Sequence, residues 1–457
     1  MKTSVVWLRR DLRLADNPAL LTAASESGKD GVCVAVVLDS ALLGRSDRRA
    51  ARYLASLRML DADLGGALTV LQGPPEHALP TLAEELGTDA VHISRETTPY
   101  GRRRDARVET ALADMGVDLR ATGTPYAVGP GSVLTGGGTP YKVFTPFSRA
   151  WREHGWARPA ERPDARWLRA DSGIALAEGA LPHDTDDESA GESAAYERWR
   201  RFLDDDLAGY DADRNRPDLD TTSRMSIPLK YGEIHPRTML ADLLDHELWG
   251  SDDVDRFVTE LCWREFYADV LWHRPDSAWQ DWSGTLRGLS YADPADPDVA
   301  ADIEAWTLGR TGFPIVDAGM RQLATEGWMH NRVRMITASF LVKDLHVWWP
   351  VGARHFLEHL RDGDIASNNH GWQWVAGTGT DASPYFRVFN PVTQGGRFDP
   401  TGEYVRRWVP ELGHLRGKSA HEPWKAGDGY THGYPERIVD HAVEREKALS
   451  RYESARG

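Results

Sequence analysis

Residues 31–73 read "GVCVAVVLDSALLGRSDRRAARYLASLRMLDADLGGALTVLQG". The opening run of valines and small apolar residues, without polar alternation, predicts a strand buried on both faces. "RRAARYLASLRMLDADLGG" then spaces apolar residues three and four apart and stops at glycines, as an amphipathic helix does. "ALTVLQG" (67–73) returns to the short apolar run, so the stretch is a strand, a helical crossover and a second strand. Outward from it, "SVVWL" (4–8), "AVHIS" (90–94) and "VDLRATG" (117–123) add strands. "NPALLTAASESG", "PEHALPTLAEELG" and "RRRDARVETALADMG" add helices that each end at glycine. The first third is therefore expected to be a parallel α/β sheet covered on both faces.

The pattern changes after residue 127. "GPGSVLTGGGTPYKVFTPF" is loop chemistry, followed by a Pro-rich and then an acidic stretch, so 128–195 is expected to be a linker. Beyond Tyr196 long helical patterns dominate, including "DDVDRFVTELCWREFYADVLW" and "NRVRMITASFLVKDLHVWW". The expected organisation is an α/β parallel-sheet domain at 1–127, the linker at 128–195 and an all-α domain at 196–457. The length of 457 residues suits more than one domain.

Composition narrows the class. Hydrophobic residues make up 41% and charged residues 27%, without an apolar run long enough to cross a bilayer, so a cytoplasmic, membrane-free protein is expected. Cys33 and Cys262 are the only cysteines, which leaves neither a disulfide framework nor a cysteine metal site. The net charge of −15 argues against nucleic acid unless a local basic face follows the phosphates. The 18 tryptophans lie mostly beyond residue 150 and call for a use.

Several chemistries are absent. There is no HExxH, CxxC or GxSxG, "GHLRGKS" (413–419) is one residue short of a phosphate loop, and the first crossover carries "RRDLRLADNP" where a nicotinamide site needs glycines. No metal is expected. What remains is a set of polar residues on otherwise apolar helices. In "DGDIASNNHGWQW" (362–374) Asp364, Asn368 and Trp372 share one helical stripe, though Asp364 could equally cap the helix. In "ELCWREFY" Glu260, Arg264 and Tyr267 share a face, with an intrahelical ion pair as the plainer reading. "GWMHNRVRM" lines up Trp328, Asn331, Arg334 and Met335. "TTSRMSIPLKYG" (221–232) gathers hydroxyls and an arginine before a short helix, which suits an anion such as a pyrophosphate or merely caps.

Together with "VVWLRRDLRLADNPAL", "GRTGFPIVDAGMRQLATEGWMHNRVRMITASFLVKDL" and "DGDIASNNHGWQWVAGTGTDASPYFRVFNP", these motifs resemble the DNA photolyase and cryptochrome flavoproteins. Within that family the chain is most similar to the bacterial class I enzymes that repair cyclobutane pyrimidine dimers, and the resemblance spans nearly the whole chain. It implies light-driven repair of UV-damaged DNA by an electron from reduced FAD to a flipped-out dimer. A monomer without an obligatory protein partner is expected.

Carried over by position, the resemblance implies an FAD site of Tyr210, Thr222, Ser223, Arg224, Met225, Ser226, Phe257, Arg264, Trp328, Asn331, Arg334, Asp362, Gly363, Asp364 and Asn368. Asn368 resembles the residue facing flavin N5, where plant cryptochromes carry aspartate. An amide there can accept a hydrogen bond without giving up a proton. Trp372 and Trp349 resemble the inner and middle members of an electron-hopping chain, and Trp348 reads as packing. The family's outer tryptophan has no counterpart before Trp306, which leaves Tyr291 as its nearest substitute.

For the substrate, Trp263 and Trp374 resemble the pocket's stacking pair, with Glu260, Asn331 and Met335 lining it. Arg332, Arg387 and Gln394 resemble DNA contacts, and Lys142 does so more weakly. Tyr100 and Gly101 stand where folate-type relatives carry Asn-Glu. With Lys230 they imply 8-hydroxy-5-deazaflavin as the antenna, methenyltetrahydrofolate being the second choice. The alternatives are a cryptochrome-type blue-light photoreceptor and six-four photoproduct repair. The latter relatives carry a histidine pair where this chain has His330 and Asn331.

Overall fold

The computed structural model describes residues 3–174, 176, 189–286, 288–382, 384 and 387–456. It divides into two compact units, one of residues 1–208 and 223–275, the other of residues 209–222 and 276–457. No helix among the described residues is long and apolar enough to cross a membrane.

The first unit is built on a parallel sheet of β1 (Ser4–Trp7), β2 (Val32–Leu38), β3 (Thr69–Gln72), β4 (Ala90–Ile93) and β5 (Asp118–Ala121), in the order β3-β2-β1-β4-β5. The unalternated valines of β2 are buried on both faces, as their sequence predicts. The chain builds outward from β1 on one side and resumes on the other at β4. The crevice that such sheets use for ligands therefore lies at the carboxyl ends of β1 and β4.

The segment 128–195 contains more structure than its composition suggested. A helix spans Phe144–His154, and β6 (Trp167–Leu168) pairs with β2. Phe144, Phe147 and Trp151 are buried at three- and four-residue spacing, an apolar stripe that the surrounding Gly and Pro conceal in a composition reading. Residues 175 and 177–188 of the expected linker lie outside the described residues.

The helix Asp252–His273 falls in the same unit as the sheet, as do the helices Glu192–Arg201 and Pro236–Asp245, which differs from the expected boundary at 196. Its buried face explains why. Glu265 accepts hydrogen bonds from the Ala127 and Val128 amides at 2.5 and 3.0 Å and from Trp151 Nε1 at 2.9 Å. Asp269 accepts from the Gly131 amide at 2.7 Å. Burial pushes both carboxyl pKa values up, and the donors offset the desolvation. Loop 127–131 is thus pinned to the helix that carries Glu260, Trp263 and Arg264.

Asp16 holds a second junction inside this unit. It adopts a left-handed backbone at φ 47° and accepts from Arg237 Nη2 at 2.5 Å, the Ala160 amide at 2.8 Å and Thr238 Oγ1 at 3.1 Å. Burial works to raise its pKa, but hydrogen bonding with His235 and Ala160 and the charge of Arg237 hold it down at about 2. A depressed carboxylate stabilises the fold above its unfolded pKa and loses that contribution as pH falls toward the folded value. Here the window runs from about pH 4 down to about pH 2, with about 2–3 kcal/mol at stake. Asp16→Asn should therefore unfold at lower urea than the parent at pH 7, and the gap should close on acidification through that window. Equal urea midpoints at pH 7 would remove Asp16 from this role.

The second unit is helical. Its core gathers Trp306, Phe313, Phe340, Trp349, Phe356, Trp372 and Tyr404 from different helices. Asn331–Ser339 continues as a π-turn at Phe340–Asp344, and the helices Trp349–His359 and Ile365–Ala376 pack against each other.

Candidate functional site

The helix Ile365–Ala376 shows why one short segment carries so many polar groups. Asp364 is its N-cap and accepts from the Ser367 amide at 3.0 Å, so the capping reading of that residue holds. Asp362, two residues earlier, is 6% exposed. One of its oxygens accepts from Arg334 Nη2 at 2.8 Å, while Arg334 Nε donates to the Met329 carbonyl at 2.7 Å. The other oxygen, Oδ1, is buried and has no partner among the described residues. A desolvated carboxylate oxygen left without a donor is costly, and its presence marks a place where a ligand donor belongs.

Asn368 follows one turn into the helix. Its Nδ2 donates to the Ala353 carbonyl at 3.1 Å and to Asn369 Oδ1 at 2.8 Å. A peptide carbonyl can only accept, so chemistry fixes which end of the amide is nitrogen. The Asn368 carbonyl oxygen is thereby turned away from both partners. Asn369 is itself held by donation to the Ala278 carbonyl. Gln373 donates to Ser277 O at 2.7 Å and accepts from the Trp282 amide at 2.8 Å, and His370 Nε2 lies 2.9 Å from Ser277 Oγ. Three of the polar side chains therefore organise the loop 277–282, a role the sequence reading missed because the partner lies about ninety residues away.

The tryptophans of this unit form a connected set. Trp372 is 3% exposed and rests on Gly352, where a Cβ would come within 2.2 Å of the indole. Trp349 lies one helical turn before Gly352, at the start of the helix that packs against the helix of Trp372. Trp348 lies 6.3 Å from Trp349, and Tyr291 lies 6.3 Å from Trp348. Tyr291 therefore reaches Trp349 through Trp348, which the sequence had left as packing. Trp306 is wholly buried and meets Trp372 edge to face at 6.1 Å, a contact that no local pattern signalled.

In the same unit the helix Asn331–Ser339 is capped by His330 and begins with exposed Asn331. Met335 and Trp374 are half-buried against the core, and Trp328 is buried beside His330. Arg332 donates twice to Asn215 Oδ1, at 3.1 and 2.7 Å, and lies over the Phe398 ring. Its guanidinium is thus already engaged within the chain, whereas Arg387 is exposed. Gln394 sits half-buried on the helix Pro391–Phe398, and Gly363 is buried between the two aspartates. Tyr210 is buried at the start of a short helix.

The hydroxyl-rich loop has a strained backbone: Asp220 and Arg224 are left-handed at φ 56° and 52°. The Thr221 and Thr222 hydroxyls are buried without partners among the described residues. Ser223 Oγ accepts from the Met225 amide at 3.4 Å, and Ser226 begins the helix that carries half-buried Lys230.

On the helix Asp252–His273, Arg264 donates to the Pro125 and Leu229 carbonyls at 3.1 and 3.4 Å and lies over Tyr126. Phe257 is enclosed by Trp199 and Phe202, which makes it a core residue of its unit. Glu260 is half-buried. Trp263 stacks on Phe144 with ring centroids 3.6 Å apart, so one of its faces is covered by its own chain.

The crevice at β1 and β4 is lined with charge. Guanidinium groups of Arg9 and Arg104 lie over the Trp7 ring, and both are paired with Asp105. Glu96 accepts from the Thr97 and Thr98 amides at 2.8 and 3.1 Å and folds against Gly101, where a Cβ would fall 1.8 Å from its Cγ. Tyr100 donates to Asp39 at 2.5 Å, and burial together with that bond pushes its pKa up to about 12.

Residues 4–164 match the family model described as DNA photolyase, and residues 257–454 match the FAD binding domain of DNA photolyase. A deoxyribodipyrimidine photo-lyase of Escherichia coli is 39% identical, with 100% of this chain and 99% of that protein covered. The crystal structure of a bacterial class III photolyase from Agrobacterium tumefaciens superposes with a TM-score of 0.91 at 37% identity, covering 100% of this chain and 98% of that one. A cryptochrome of Synechocystis superposes with a TM-score of 0.89 at 25% identity over 98% of this chain and 99% of its own. Full-length similarity at this level, on a sheet unit and a helical unit that match successive family models, places the chain in the DNA photolyase family.

Proposed function

We propose that the protein is a deoxyribodipyrimidine photo-lyase that uses reduced FAD and blue light to split cyclobutane pyrimidine dimers in DNA. The observation that carries the reading is the Asn368 carbonyl, fixed by two donated hydrogen bonds so that it can only accept. The other groups suit a flavin adenine dinucleotide. The Asp362 oxygen awaits a donor, and the Thr221 and Thr222 hydroxyls stand ready for phosphate or ribose oxygens.

Bound and reduced, FAD supplies an electron that light drives into the cyclobutane and that returns once both bonds have opened. Asp362 and Arg334 orient the ring system, Asn368 accepts a hydrogen bond at its edge, and residues 222–226 hold the phosphate end. Trp372 and Trp349 carry electrons toward oxidised flavin and restore the active state. Photolyases are among the enzymes that extrude their target nucleotide, which a badly stacked dimer permits cheaply. Trp263 and Trp374 are its stacking surfaces, Glu260 and Asn331 its polar contacts, Met335 an apolar one, and Arg387 and Gln394 contacts to the strand.

For the antenna we favour 8-hydroxy-5-deazaflavin over methenyltetrahydrofolate, because Glu96 leaves position 101 no room for the glutamate of folate-type relatives. We place the enzyme in the cytoplasm as a monomer. A photoreceptor role is the weaker reading, since plant cryptochromes carry an acid at the position of Asn368.

The test is recovery of thymine absorbance from an oligonucleotide with a single thymine dimer, added to chemically reduced protein under blue light and in the dark. Recovery in the light alone is expected; none in either condition, with FAD and DNA bound, would overturn the reading. Trp263→Ala should lower discrimination for dimer-containing over intact DNA by about 1–3 kcal/mol, the range of one base-aromatic stack, with FAD content unchanged. Equal discrimination in a filter-binding competition would exclude Trp263 from the substrate contact.

A further inference from the structure

We propose that Asp281 is the proton acceptor that traps an oxidised Trp349 and so ends the electron path of this chain. The inference rests on the reading of Trp372 and Trp349 as that path. Trp349 is wholly buried, and its indole Nε1 donates to Asp281 Oδ1 at 2.6 Å. Asp281 is half-buried and stands next to Trp282, whose amide is tied to Gln373 on the helix of Trp372. The loop that presents the carboxylate is thus fixed by the same helix that carries the first tryptophan.

The chemistry balances without a further reagent. Trp372 would give one electron to a bound, photoexcited oxidised FAD and would be refilled from Trp349, which would leave the hole on the Trp349 indole. Loss of an electron makes the indole N–H strongly acidic. The Nε1–H bond breaks, an O–H bond forms at Asp281 Oδ1, and the bonding pair stays on nitrogen. A neutral indolyl radical and a neutral carboxylic acid result. Before the proton moves, the negative carboxylate favours the hole at this ring. Afterwards charge recombination must also recover the proton, which slows it.

The other aromatic exits lack this device. Trp306 touches Trp372 but donates its N–H to the Thr337 carbonyl at 3.1 Å. A peptide carbonyl cannot keep a proton, so a hole there would remain a buried, unpaired charge. The Tyr291 hydroxyl is buried with no hydrogen-bond partner among the described residues, and a phenol cannot be oxidised durably unless its proton leaves. Burial and the charge of Asp281 also push the Tyr291 pKa well up. The absent outer tryptophan is thereby replaced by a proton acceptor one step earlier in the path.

The experiment is flash photolysis of the holoprotein with oxidised FAD, following tryptophan radical absorption. In the wild type the radical cation should give way to the neutral indolyl radical. Asp281→Asn keeps an oxygen for the Trp349 N–H but cannot hold its proton. The neutral signal should disappear, and the long-lived radical yield should fall about tenfold, equivalent to ~1.4 kcal/mol of lost stabilisation. Asp281→Glu should restore the neutral signal in part, and Trp306→Phe should leave it at the wild-type yield. A wild-type neutral yield in Asp281→Asn, with Trp349→Phe abolishing it, would overturn the role of Asp281 alone. Radical signals that survive both Trp372→Phe and Trp349→Phe would overturn the path and the proposal together. Loss of the signal in Trp306→Phe but not in Asp281→Asn would move the trap to the other exit.

Discussion

Asp362→Ala is expected to yield a protein purified without flavin. The carboxylate is buried and has two separate duties. Oδ2 neutralises Arg334, and Oδ1 is an acceptor without a partner among the described residues. Truncation removes the ligand's acceptor and leaves the Arg334 charge without its counterion. Removing one member of a buried, hydrogen-bonded charge pair costs about 2–5 kcal/mol or more. Spread over FAD affinity, that is roughly thirtyfold to several thousandfold in Kd. Asp362→Asn keeps one acceptor oxygen but loses the charge, and it should fall between the two. The flavin-to-protein absorbance ratio after gel filtration gives the measurement, with circular dichroism confirming that each variant is folded. Stoichiometric flavin in Asp362→Ala would take the residue out of the site.

The same residues show what the sequence could disclose and what it could not. The sheet was legible because parallel strands buried on both faces read as unbroken apolar runs, and β2 is such a run. The helix Phe144–His154 was not, because its apolar stripe begins within a Gly- and Pro-rich segment whose composition reads as loop. Spacing placed Asp364, Asn368 and Trp372 on one helix, and the helix formed. Spacing could not tell that Asn369, His370 and Gln373 reach back to residues 277–282, since that pairing is fixed only by tertiary packing. Nor could it separate Trp348 and Trp306 from ordinary core tryptophans. Their proximity to Trp349 and Trp372 is a property of the packed helices.

Asn368→Asp should abolish most repair by the reduced protein while leaving the fold intact. In the native helix the side chain donates twice, to the Ala353 carbonyl and to Asn369 Oδ1. An aspartate there cannot donate in its ionised form, so it would face two acceptors across lost hydrogen bonds. Each buried acceptor left without its donor costs about 1–3 kcal/mol. The ionised side chain would also set a second negative charge beside a reduced, anionic flavin. At about 4 Å and an effective dielectric constant of about 20 that repulsion is about 4 kcal/mol. Both effects favour the protonated acid, which raises the pKa of the new carboxyl and turns an acceptor into a proton donor. A donor at this position no longer accepts the hydrogen bond that the amide carbonyl would take from the edge of the reduced flavin, so the reactive state loses that stabilisation as well. The repair rate near neutral pH should fall about a hundredfold or more, the consequence of 3 kcal/mol or so of that destabilisation reaching the reactive state. Because the acid is the favoured form, the flavin spectrum under illumination should become pH-dependent in the variant and not in the parent. Full repair with a pH-independent spectrum would mean that the Asn368 carbonyl does not face the flavin, and the proposed orientation of the site would have to be abandoned.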